Sequence, residues 1–476
     1  MLSGPSAQPT RDAEDARGAG AVDAAAAPPP FRKVLVANRG AVAARVIRAL
    51  RELDIESLAV YSEADASAPY LQEADQAVCI GPPPARESYL DQDRLLAVAA
   101  ENGADALHPG YGFLSENSGF ATRVTNCGLT FIGPSAWLIE EMGEKTRARE
   151  IMASHGLPVA AGTGLLDGDG DNIIAAARGI GFPVMIKPAG GGGGIGMMIA
   201  RDEATLVASV ERSRALAHRS FSSGGVYLEK YIERPRHVEL QMLADRHGNV
   251  RHLFERDCSI QRRHQKVIEE SPAPGVPREV IEALGARAAE VLKIIGYDNI
   301  GTVEMLMGED GQFSFLEMNT RLQVEHAVTE MVTGIDLVQA QIRAAAGQRL
   351  DTILPERITV DGHAIEVRIY AEDPKRFFPS PGPLNSFRMP ESTADCRVET
   401  GYAEGMIVTP HYDPMLAKII ARGENRDDAI ERLVEILGGI AIEGVKTNIP
   451  FLLACLVDER FRAGKVHTGL TGEIKL

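Results

Sequence analysis

Two glutamates in the stretch TVEMLMGEDGQFSFLEMN could together hold a divalent cation. The polar turn around Glu309 to Gly311 predicts a hairpin that places Glu304 almost opposite Glu317. Side chains across such a pair lie about 5 Å apart, and two like charges repel there unless a cation lies between them. Mg²⁺ prefers a few carboxylates together with phosphate oxygens and water. The pair therefore predicts a metal site beside nucleotide phosphates, although two glutamates on a solvated hairpin face would give the same pattern.

The overlapping stretch LEMNTRLQVEH alternates between apolar and polar side chains. If the chain stays extended, one parity faces the core and the other presents a polar row. The apolar parity contains Leu316, Met318, Leu322 and Val324. The polar parity contains Glu317, Asn319, Arg321, Gln323 and Glu325. These residue types predict metal binding by the first two, oxyanion binding by the next two and a base at Glu325.

A glycine run, KPAGGGGGIGMMI, follows Lys187 and lies between two strand-like segments. A P-loop would continue with Lys and Ser or Thr and open a helix, and a Rossmann motif would join a strand to a helix, so neither fits. Glycine amides can approach phosphate oxygens closely, and Lys187 adds a positive charge. The run predicts a flap that closes over phosphates, and a flexible hairpin without a ligand is the alternative.

The segment ERDCSIQRRHQKVIEE is basic within an acidic protein. Its cations are Arg256, Arg262, Arg263, His264 and Lys266. Taken alone, the segment favours a salt-bridged surface strand over a ligand site. Cys258 lacks a clear Cys-His-acid arrangement and is predicted to be structural. His237, at the start of another alternating strand, could equally be a core residue.

The composition is that of a globular protein of 476 residues, enough for about three domains of roughly 150 residues. The net charge of −16 disfavours non-specific nucleic-acid binding, which needs a basic footprint. No apolar run approaches the roughly 18 to 20 residues of a membrane span, so no membrane association is expected. Five widely spaced cysteines without a CxxC pair favour a reducing compartment, and we expect a cytoplasmic protein.

Changes in pattern along the chain divide it into four regions. Residues 1–30 are rich in Ala, Pro and Gly, carry four acids and predict a disordered tail. Residues 31–141 begin with a strand, a glycine turn, a helix and a strand, which predicts a Rossmann-like α/β domain. Residues 142–347 contain successive strand pairs and predict an α+β, mainly antiparallel domain. Residues 348–476 contain the strand HAIEVRIYAED and the amphipathic helix ENRDDAIERLVEILGGI.

An ordered series of motifs resembles biotin carboxylase, the ATP-grasp component of biotin-dependent acyl-CoA and pyruvate carboxylases. The series is ANRG, HPGYGFLSEN, FIGP, MGEK, the glycine flap, LEKYIERPRHVELQ, ERDCSIQRRHQKVIEE, EMNTRLQVEH, TEMVTG, YAEDP and HYDPMLAKI. The resemblance covers nearly everything from Phe31 onward. It implies an N-terminal biotin carboxylase domain, an ATP-grasp domain and a C-terminal biotin carboxylase domain. It also implies a reaction in which ATP and bicarbonate give carboxyphosphate, which delivers carbon dioxide to N1′ of biotin.

The resemblance assigns roles to individual residues of this chain. Contacts to ATP would come from Lys145, Lys187, Gly192, Gly193, Gly194, Glu229, Tyr231, Ile232, His237, His264, Glu304 and Glu317. About two Mg²⁺ or Mn²⁺ ions would be held by Glu304, Glu317 and Asn319. Bicarbonate would be bound by Lys266, Arg321, Gln323, Val324 and Glu325. Arg368 would bind biotin and steady its enolate, and the catalytic set would be Glu325, Arg321, Lys266 and Arg368.

Three positions depart from the family pattern. Ala41 follows ANRG where the family usually has Glu, Ile195 replaces an Arg in the glycine loop, and Ala327 replaces the Pro of VEHP. Losing the loop arginine predicts altered ATP affinity or flap closure. None of the assigned catalytic positions is altered, so an active enzyme is expected.

The partners follow from the resemblance and from a missing motif. No AMKM-like tetrapeptide is present, so we expect biotin on a separate carrier protein and carboxyl transfer by another polypeptide, the carboxyltransferase. We expect acetyl-CoA or propionyl-CoA as the acceptor, and a branched or long-chain acyl-CoA or pyruvate stays open because the carboxyltransferase makes that choice. The family implies a homodimer. Two alternatives stay open: another ATP-grasp carboxylate ligase, and a catalytically weakened structural paralogue.

Overall fold

The computed structural model describes residues 31–166, 170–189, 196–221 and 225–475. The predicted disordered tail, residues 1–30, lies outside the described residues, as do Gly192, Gly193, Gly194 and Ile195 of the predicted flap. Within the described ranges, no helix combines the length and the apolarity that crossing a bilayer requires.

The N-terminal unit is a parallel α/β layer, as predicted. Its elements are β1 (Lys33–Val36), α1 (Gly40–Glu52), β2 (Glu56–Ser62), α2 (Tyr70–Glu73), β3 (Gln76–Gly81), α3 (Gln92–Glu101), β4 (Ala106–His108), α4 (Ser118–Asn126), β5 (Thr130–Phe131) and α5 (Ala136–Gly143). All five strands pair in parallel in the order β3-β2-β1-β4-β5. Val34, Leu35 and Val36 are buried, since helices cover both faces of such a sheet.

The ANRG motif joins β1 to α1. Gly40 has a φ of +65°, a conformation that glycine adopts without strain. A Cβ on Gly401 would lie 2.3 Å from Cα of Gly40, so the two backbones touch. Asn38 Nδ2 donates to the carbonyls of Pro109 at 2.7 Å and Tyr111 at 2.8 Å. The motif therefore ties the HPGYG loop and the C-terminal region to the first sheet.

The central unit contains two antiparallel parts. Its elements are α6 (Lys145–Ser154), α7 (Gly170–Ile180), β6 (Val184–Pro188), β7 (Met198–Ala200), α8 (Glu203–Phe221), β8 (Val226–Lys230), β9 (Arg236–Ala244), β10 (Val250–Arg262), β11 (Gln265–Ser271), α9 (Arg278–Ile294), β12 (Asn299–Met307), β13 (Phe313–Asn319), α10 (His326–Thr333), α11 (Leu337–Ala345) and α12 (Leu350–Ile353). Strands β6, β7 and β8 form a small sheet that packs on α7 and α8 around its own apolar core; we call this part the lid lobe. Because β6 pairs antiparallel with β7, the glycine run lies between two paired strands, as predicted.

The C-terminal unit continues the larger sheet of the central unit. Its elements are β14 (His363–Tyr370), β15 (Gly382–Pro383), β16 (Ser386–Arg388), β17 (Cys396–Thr400), β18 (Ile407–Val408), β19 (Met415–Gly423), α13 (Arg426–Gly439), β20 (Ala441–Glu443), α14 (Ile449–Val457) and α15 (Glu459–Arg462). The strand predicted at HAIEVRIYAED and the helix predicted at ENRDDAIERLVEILGGI are both present. Strand β14 pairs with β11, which gives an eight-stranded antiparallel sheet in the order β13-β12-β9-β10-β11-β14-β19-β17. The central and C-terminal units therefore place side chains on one shared surface.

Candidate active site

A cavity of about 990 Å³ lies between the lid lobe and the eight-stranded sheet, with the ANRG segment also in its wall. Every predicted site residue that the structure describes lines this cavity. They are Lys145, Lys187, Glu229, Tyr231, Ile232, His237, His264, Lys266, Glu304, Glu317, Asn319, Arg321, Gln323, Val324, Glu325 and Arg368. The predicted phosphate contacts Gly192, Gly193 and Gly194 lie outside the described residues.

Lys266 joins three buried carboxylates. Its Nζ lies 2.5 Å from Oε2 of Glu239, 2.8 Å from Oε1 of Glu304 and 2.6 Å from Oε1 of Glu325. Burial disfavours the ammonium, but the three carboxylates outweigh it and raise the pKa of Lys266 well above its usual value. Lys266 is therefore a fixed positive charge that connects Glu304, of the facing carboxylate pair, with Glu325, in the loop before α10.

Glu325 is fully buried and is held through both oxygens. Burial would raise its pKa, but Lys266 and Arg368 act in the opposite direction and lower the pKa of Glu325. Nη2 of Arg368 lies 2.9 Å from Oε2 of Glu325 and 2.7 Å from Oε1 of Glu269. The carboxylate is thus ionised and oriented, which is the state that a general base requires.

The predicted pairing of Glu304 with Glu317 is confirmed by the register of β12 and β13. Nζ of Lys145 lies 2.7 Å from Oε2 of Glu317, and Nε2 of His237 lies 3.3 Å from Oε2 of Glu304. Burial opposes ionisation of Glu304, but Lys266 and His237 outweigh it and lower its pKa. Burial likewise opposes protonation of His237, yet Glu304 raises the pKa of this histidine to about 9.

A metal ion fits this group of side chains. Ionised carboxylates on facing strands and the amide of Asn319, whose Oδ1 already accepts from Arg321 at 2.8 Å, are the oxygen donors that Mg²⁺ takes. Lys145 contacts Glu317 and Lys266 contacts Glu304, so each of the two facing carboxylates already has a positively charged neighbour. This is expected because two like charges on facing strands repel each other.

The prediction of an unbroken extended row in LEMNTRLQVEH is wrong in two places. A bulge opposite Glu304 and Met305 shifts the alternation, so Phe313 and Phe315 face the core and Leu316 faces the cavity. Strand β13 then ends at Asn319, and Arg321 to Glu325 lie in the loop before α10. The polar side chains still converge because the loop turns back over the sheet. Of the predicted core parity, Met318 and Leu322 are buried, whereas Val324 lines the cavity.

Arg321 is the centre of a second polar group. Its guanidinium donates to Gln323 Oε1 at 2.9 Å, to Asn319 Oδ1 at 2.8 Å and to Glu116 Oε2 at 2.8 Å. Glu116 also accepts from the backbone of Thr320 at 3.1 Å. The sequence reasoning missed Glu116, which the HPGYGFLSEN loop brings from the first unit.

Glu239 is a second residue that the sequence reasoning missed. It is fully buried and accepts from Lys266 and, at 2.6 Å, from Nε of Arg256. The alternation of β9 could have identified Glu239, because His237, Glu239 and Gln241 fall on the same face of the strand RHVELQ. All three are buried beside the basic strand.

The basic segment forms the buried end of β10, an exposed turn at Arg263 and His264, and β11, rather than one surface strand. Arg256 is fully buried and donates to Glu239, Gln241, Thr302 and Thr329. Cys258 is also buried, and burial raises the pKa of its thiol well above the usual value, in agreement with a structural cysteine. Its Sγ lies 3.8 Å from Oε1 of Glu325, so it packs against the base without competing as a nucleophile.

The lid lobe provides the opposite wall. Nζ of Lys187 donates to Oε2 of Glu229, whose other oxygen lies 3.2 Å from Nε of Arg149. Beyond this pair the wall of the lid lobe is apolar at Met185, Met197 and Ile199. The predicted Ile232, just after β8, and Leu306 of β12 extend this apolar surface to the large sheet. A cation beside an apolar slot suits a ligand with a flat apolar part and an anionic part.

The motif HYDPMLAKI supplies an anchor for the loop that carries Glu325. Lys418 is fully buried, and its Nζ donates to the Val324 carbonyl at 2.5 Å. The same Nζ lies 2.8 Å from Glu399 Oε2 and 3.4 Å from Glu366 Oε2. Glu366 faces Glu269 across β11 and β14, and burial raises its pKa to about 8.

Three family models match the chain in succession. They are described as the biotin carboxylase N-terminal domain at residues 30–139, the carbamoyl-phosphate synthase L chain ATP binding domain at 144–353 and the biotin carboxylase C-terminal domain at 366–473. Together the matches span most of the described residues.

Curated relatives and solved structures agree with these models. A biotin carboxylase of Halalkalibacterium halodurans is 48% identical over 447 residues, which cover 94% of this chain and 98% of the relative. A pyruvate carboxylase subunit of Methanothermobacter thermautotrophicus is 47% identical over 446 residues, covering 94% of this chain and 90% of the relative. The biotin carboxylase domain dimer of 2-oxoglutarate carboxylase from Hydrogenobacter thermophilus, crystallised with MgADP, ADP and bicarbonate, superimposes with a TM-score of 0.89 at 45% identity, over 93% of this chain and 97% of that one.

Proposed function

The chain belongs to the biotin carboxylase family, and on this premise we propose that it carboxylates biotin on a carrier protein at the expense of ATP and bicarbonate. One observation carries the proposal. The ammonium of Lys266 touches Glu304, on the side of the carboxylate pair, and Glu325, the buried base. A single cavity thus holds the groups for phosphate activation beside those for deprotonating bicarbonate.

ATP occupies the space between the lid lobe and the eight-stranded sheet in this proposal. Lys145 and Lys187 neutralise its phosphates, and the apolar wall at Ile232, with Glu229 and Tyr231, receives the adenine. His237 and His264 line the same cavity and would contact the nucleotide. Lys187 is buried and already bonded to Glu229, so its ammonium loses little hydration when it binds a phosphate.

Mg²⁺ or Mn²⁺, about two ions, would be held by Glu304, Glu317 and Asn319. Such ions would supply Lewis-acid neutralisation of charge on the transferring phosphoryl group. Lys145 and Lys266, which contact Glu317 and Glu304, add fixed positive charge at the same place. Most of the catalysis is therefore positioning and electrostatic stabilisation by groups already in place.

Bicarbonate binds between Arg321, Gln323, Lys266 and the Val324 backbone. Glu325 takes the proton of bicarbonate, whose oxygen then attacks the γ-phosphorus and displaces ADP. The product carboxyphosphate splits into carbon dioxide and phosphate, the phosphate takes the N1′ proton of biotin, and N1′ of the resulting enolate bonds to the carbon dioxide. Arg368 stabilises the negative charge of the biotin enolate, and Glu269 keeps Arg368 in place when Glu325 becomes protonated, because one guanidinium nitrogen contacts both carboxylates.

The partners and the acceptor belong to the proposal as well. The chain would act as a cytoplasmic homodimer together with a biotin carrier protein and a carboxyltransferase, in an acetyl-CoA or propionyl-CoA carboxylase. Its relatives include one component of a pyruvate carboxylase and a domain of 2-oxoglutarate carboxylase at similar identity. The acceptor is therefore a property of the carboxyltransferase rather than of this cavity.

Bicarbonate dependence of ATP cleavage tests the proposed function. Purified protein should release ADP from MgATP only when bicarbonate is added, and free biotin should increase the rate. A related ligase that activates another carboxylate would release ADP without bicarbonate when its own substrate is present. ADP release at the same rate with and without bicarbonate contradicts the proposal.

A further inference from the structure

A second, smaller cavity of about 420 Å³ lies beside the active-site cavity and has a basic and aromatic lining. Its walls come from the β10–β11 turn, from the segment after β14 and from the C-terminal end of the described chain. The lining residues are Arg262, Arg263, Lys375, Arg376, Phe377, Phe378, Phe451, Thr471 and Gly472. We call the exposed group Arg263, Lys375, Arg376 and Phe378 the basic patch.

The charges of the basic patch are balanced only weakly, through the Coulombic attraction between Arg263 and Glu372. Arg263, Lys375 and Arg376 are exposed, and none makes an ion pair with a described residue. The neighbouring acids pair with other side-chain cations: Glu372 lies 2.9 Å from Arg262, and Asp373 lies 2.8 Å from Lys446. Asp373 also accepts from the backbone N–H groups of Lys375 and Arg376. The protein has a net charge of −16, but these three side chains make this part of its surface positive.

Phe378 adds an apolar contact to these charges. Its side chain is 61% exposed, and Phe377 beside it is covered by the guanidinium of Arg262 at 4.9 Å from the ring centre. An exposed aromatic ring beside arginines is the composition of protein interface centres, where such residues supply most of the binding energy.

The basic patch is connected to the active-site cavity at two points. Arg262 donates to Oε1 of Gln265 at 2.8 Å, and Gln265 lines the active-site cavity. In the β10–β11 turn, Arg263 and His264 have φ values of +50° and +66°, conformations that cost energy in non-glycine residues. This strained turn directs His264 into the active-site cavity and Arg263 into the second cavity.

Strand β14 is the second connection. It carries Arg368, the proposed biotin contact, and ends at Tyr370, five residues before Lys375. A carrier that presents biotin to Arg368 must rest on the surface next to this strand end. We propose that the basic patch is the docking site for an acidic face of the biotin carrier protein, an inference that rests on the proposed function.

In this proposal the basic patch attracts and binds the carrier protein and does not act on biotin. Complementary charge raises the rate of encounter and orients the partner, and the effect falls as ionic strength rises. Phe378 then fixes the docked carrier through apolar contact. Free biotin carries no such face and gains nothing from the basic patch.

The test compares biotin presented in three forms: free biotin, biotinyl-lysine in a glutamate-rich peptide, and biotinyl-lysine in the matching glutamine-rich peptide. The variant K375E/R376E reverses two patch charges. The control K293E/R357E makes the same change in net charge at exposed residues that line neither cavity. The wild type should prefer the acidic peptide at low salt, and K375E/R376E should lower kcat/KM for that peptide by about tenfold, a difference of about 1.4 kcal/mol. Carboxylation of free biotin should be unchanged in both variants.

The inference is overturned if the wild type shows no preference for the acidic peptide, if K375E/R376E keeps that preference, or if the control loses it equally. A matching loss with free biotin would place these cations in catalysis and would also overturn it. Failure of the proposed function is distinguishable, since the wild type would then lack bicarbonate-dependent ADP release with free biotin.

Discussion

Nζ of Lys266 lies 2.6 Å from Oε1 of Glu325, and both groups are buried. The contact stabilises the ionised form of Glu325 and lowers its pKa, although burial acts in the opposite direction. Arg368 contacts the second oxygen of the same carboxylate at 2.9 Å, so both oxygens of Glu325 have a cationic partner, as the proposed base would need. The first prediction concerns this base.

Replacing Glu325 by Gln should abolish most turnover while leaving ATP binding intact. The amide keeps the shape of the side chain but cannot accept a proton from bicarbonate, and general bases contribute about 10²- to 10⁴-fold. We expect kcat for ADP release to fall by about that factor with little change in KM for ATP. Glu325→Asp should recover part of the rate. An unchanged kcat in Glu325→Gln would exclude this residue as the base.

Replacing Glu304 or Glu317 by Gln should weaken the response to metal. Each substitution removes one of two facing carboxylates, and metal affinity depends on ligand charge. We expect a higher Mg²⁺ concentration for half-maximal activity and weaker Mg²⁺-dependent ATP binding by calorimetry. Glu309→Gln, in the turn of the same hairpin, makes the same charge change away from the site and should leave both measurements unchanged. Equal effects in all three variants would mean that net charge, not ligation, is responsible.

Replacing Lys418 by Met should weaken the binding of bicarbonate more than the binding of ATP. The substitution removes the donor to the Val324 carbonyl and frees the loop that carries Gln323 and Glu325. We expect KM for bicarbonate to rise by about tenfold, the effect of losing about 1.4 kcal/mol, with KM for ATP nearly constant. The exposed Lys446 provides the matched control. A parallel rise of both KM values would indicate a general loss of structure instead.

The buried Glu366 should make stability fall with pH, and Glu366→Gln should reduce that dependence. Part of it should remain because burial also raises the pKa of the facing Glu269, to about 7. Burial raises the folded-state pKa of Glu366 to about 8, whereas an unfolded glutamate titrates near about 4.3. Between these values the folded state binds the extra proton, so wild-type stability falls by up to about 1.4 kcal/mol per pH unit from this group. The Tm of Glu366→Gln relative to wild type should therefore rise from pH 5.5 to 8 and level off above.

Glu270 supplies the matched control for this pH dependence. Glu270 is also buried and follows Glu269, the residue that faces Glu366. Burial would raise the pKa of Glu270, but its contacts with His363 and Arg426 outweigh burial and lower this pKa to about 2. Glu270 is ionised in the folded and the unfolded state between pH 5.5 and 8, so Glu270→Gln should lower Tm by a similar amount across that range. A flat difference between Glu366→Gln and wild type would show that Glu366 is ionised throughout.

The family, the enzyme class and the three-part fold predicted from the sequence are confirmed by the family models and the relatives. The ordered motifs were sufficient for this because their resemblance to biotin carboxylase implied the fold and the reaction, whereas hairpin turns and strand parity gave only short-range features. The pairing of Glu304 with Glu317 followed from one turn and is confirmed. The parity of LEMNTRLQVEH failed at Leu316 because a bulge depends on the partner strand.

Contacts between distant segments could not be read from the sequence. Glu116 reaches Arg321 only because the first sheet packs against the β13–α10 loop, and Lys418 reaches Val324 only because β19 joins the large sheet. The continuation of that sheet from β11 to β14 likewise depends on tertiary packing. Glu239, by contrast, lay on the polar parity of β9 and was predictable. The flap glycines and Ile195 lie outside the described residues, so their predicted roles stay predictions.

Transfer of ¹⁴C from labelled bicarbonate to free biotin tests the central claim most directly. With MgATP, the wild-type protein should form acid-labile carboxybiotin in proportion to the ADP released, and Glu325→Gln should form almost none. Omission of ATP should also abolish the labelled product. ATP cleavage without label in biotin, or equal labelling by Glu325→Gln, would contradict the claim that this cavity carboxylates biotin with Glu325 as its base.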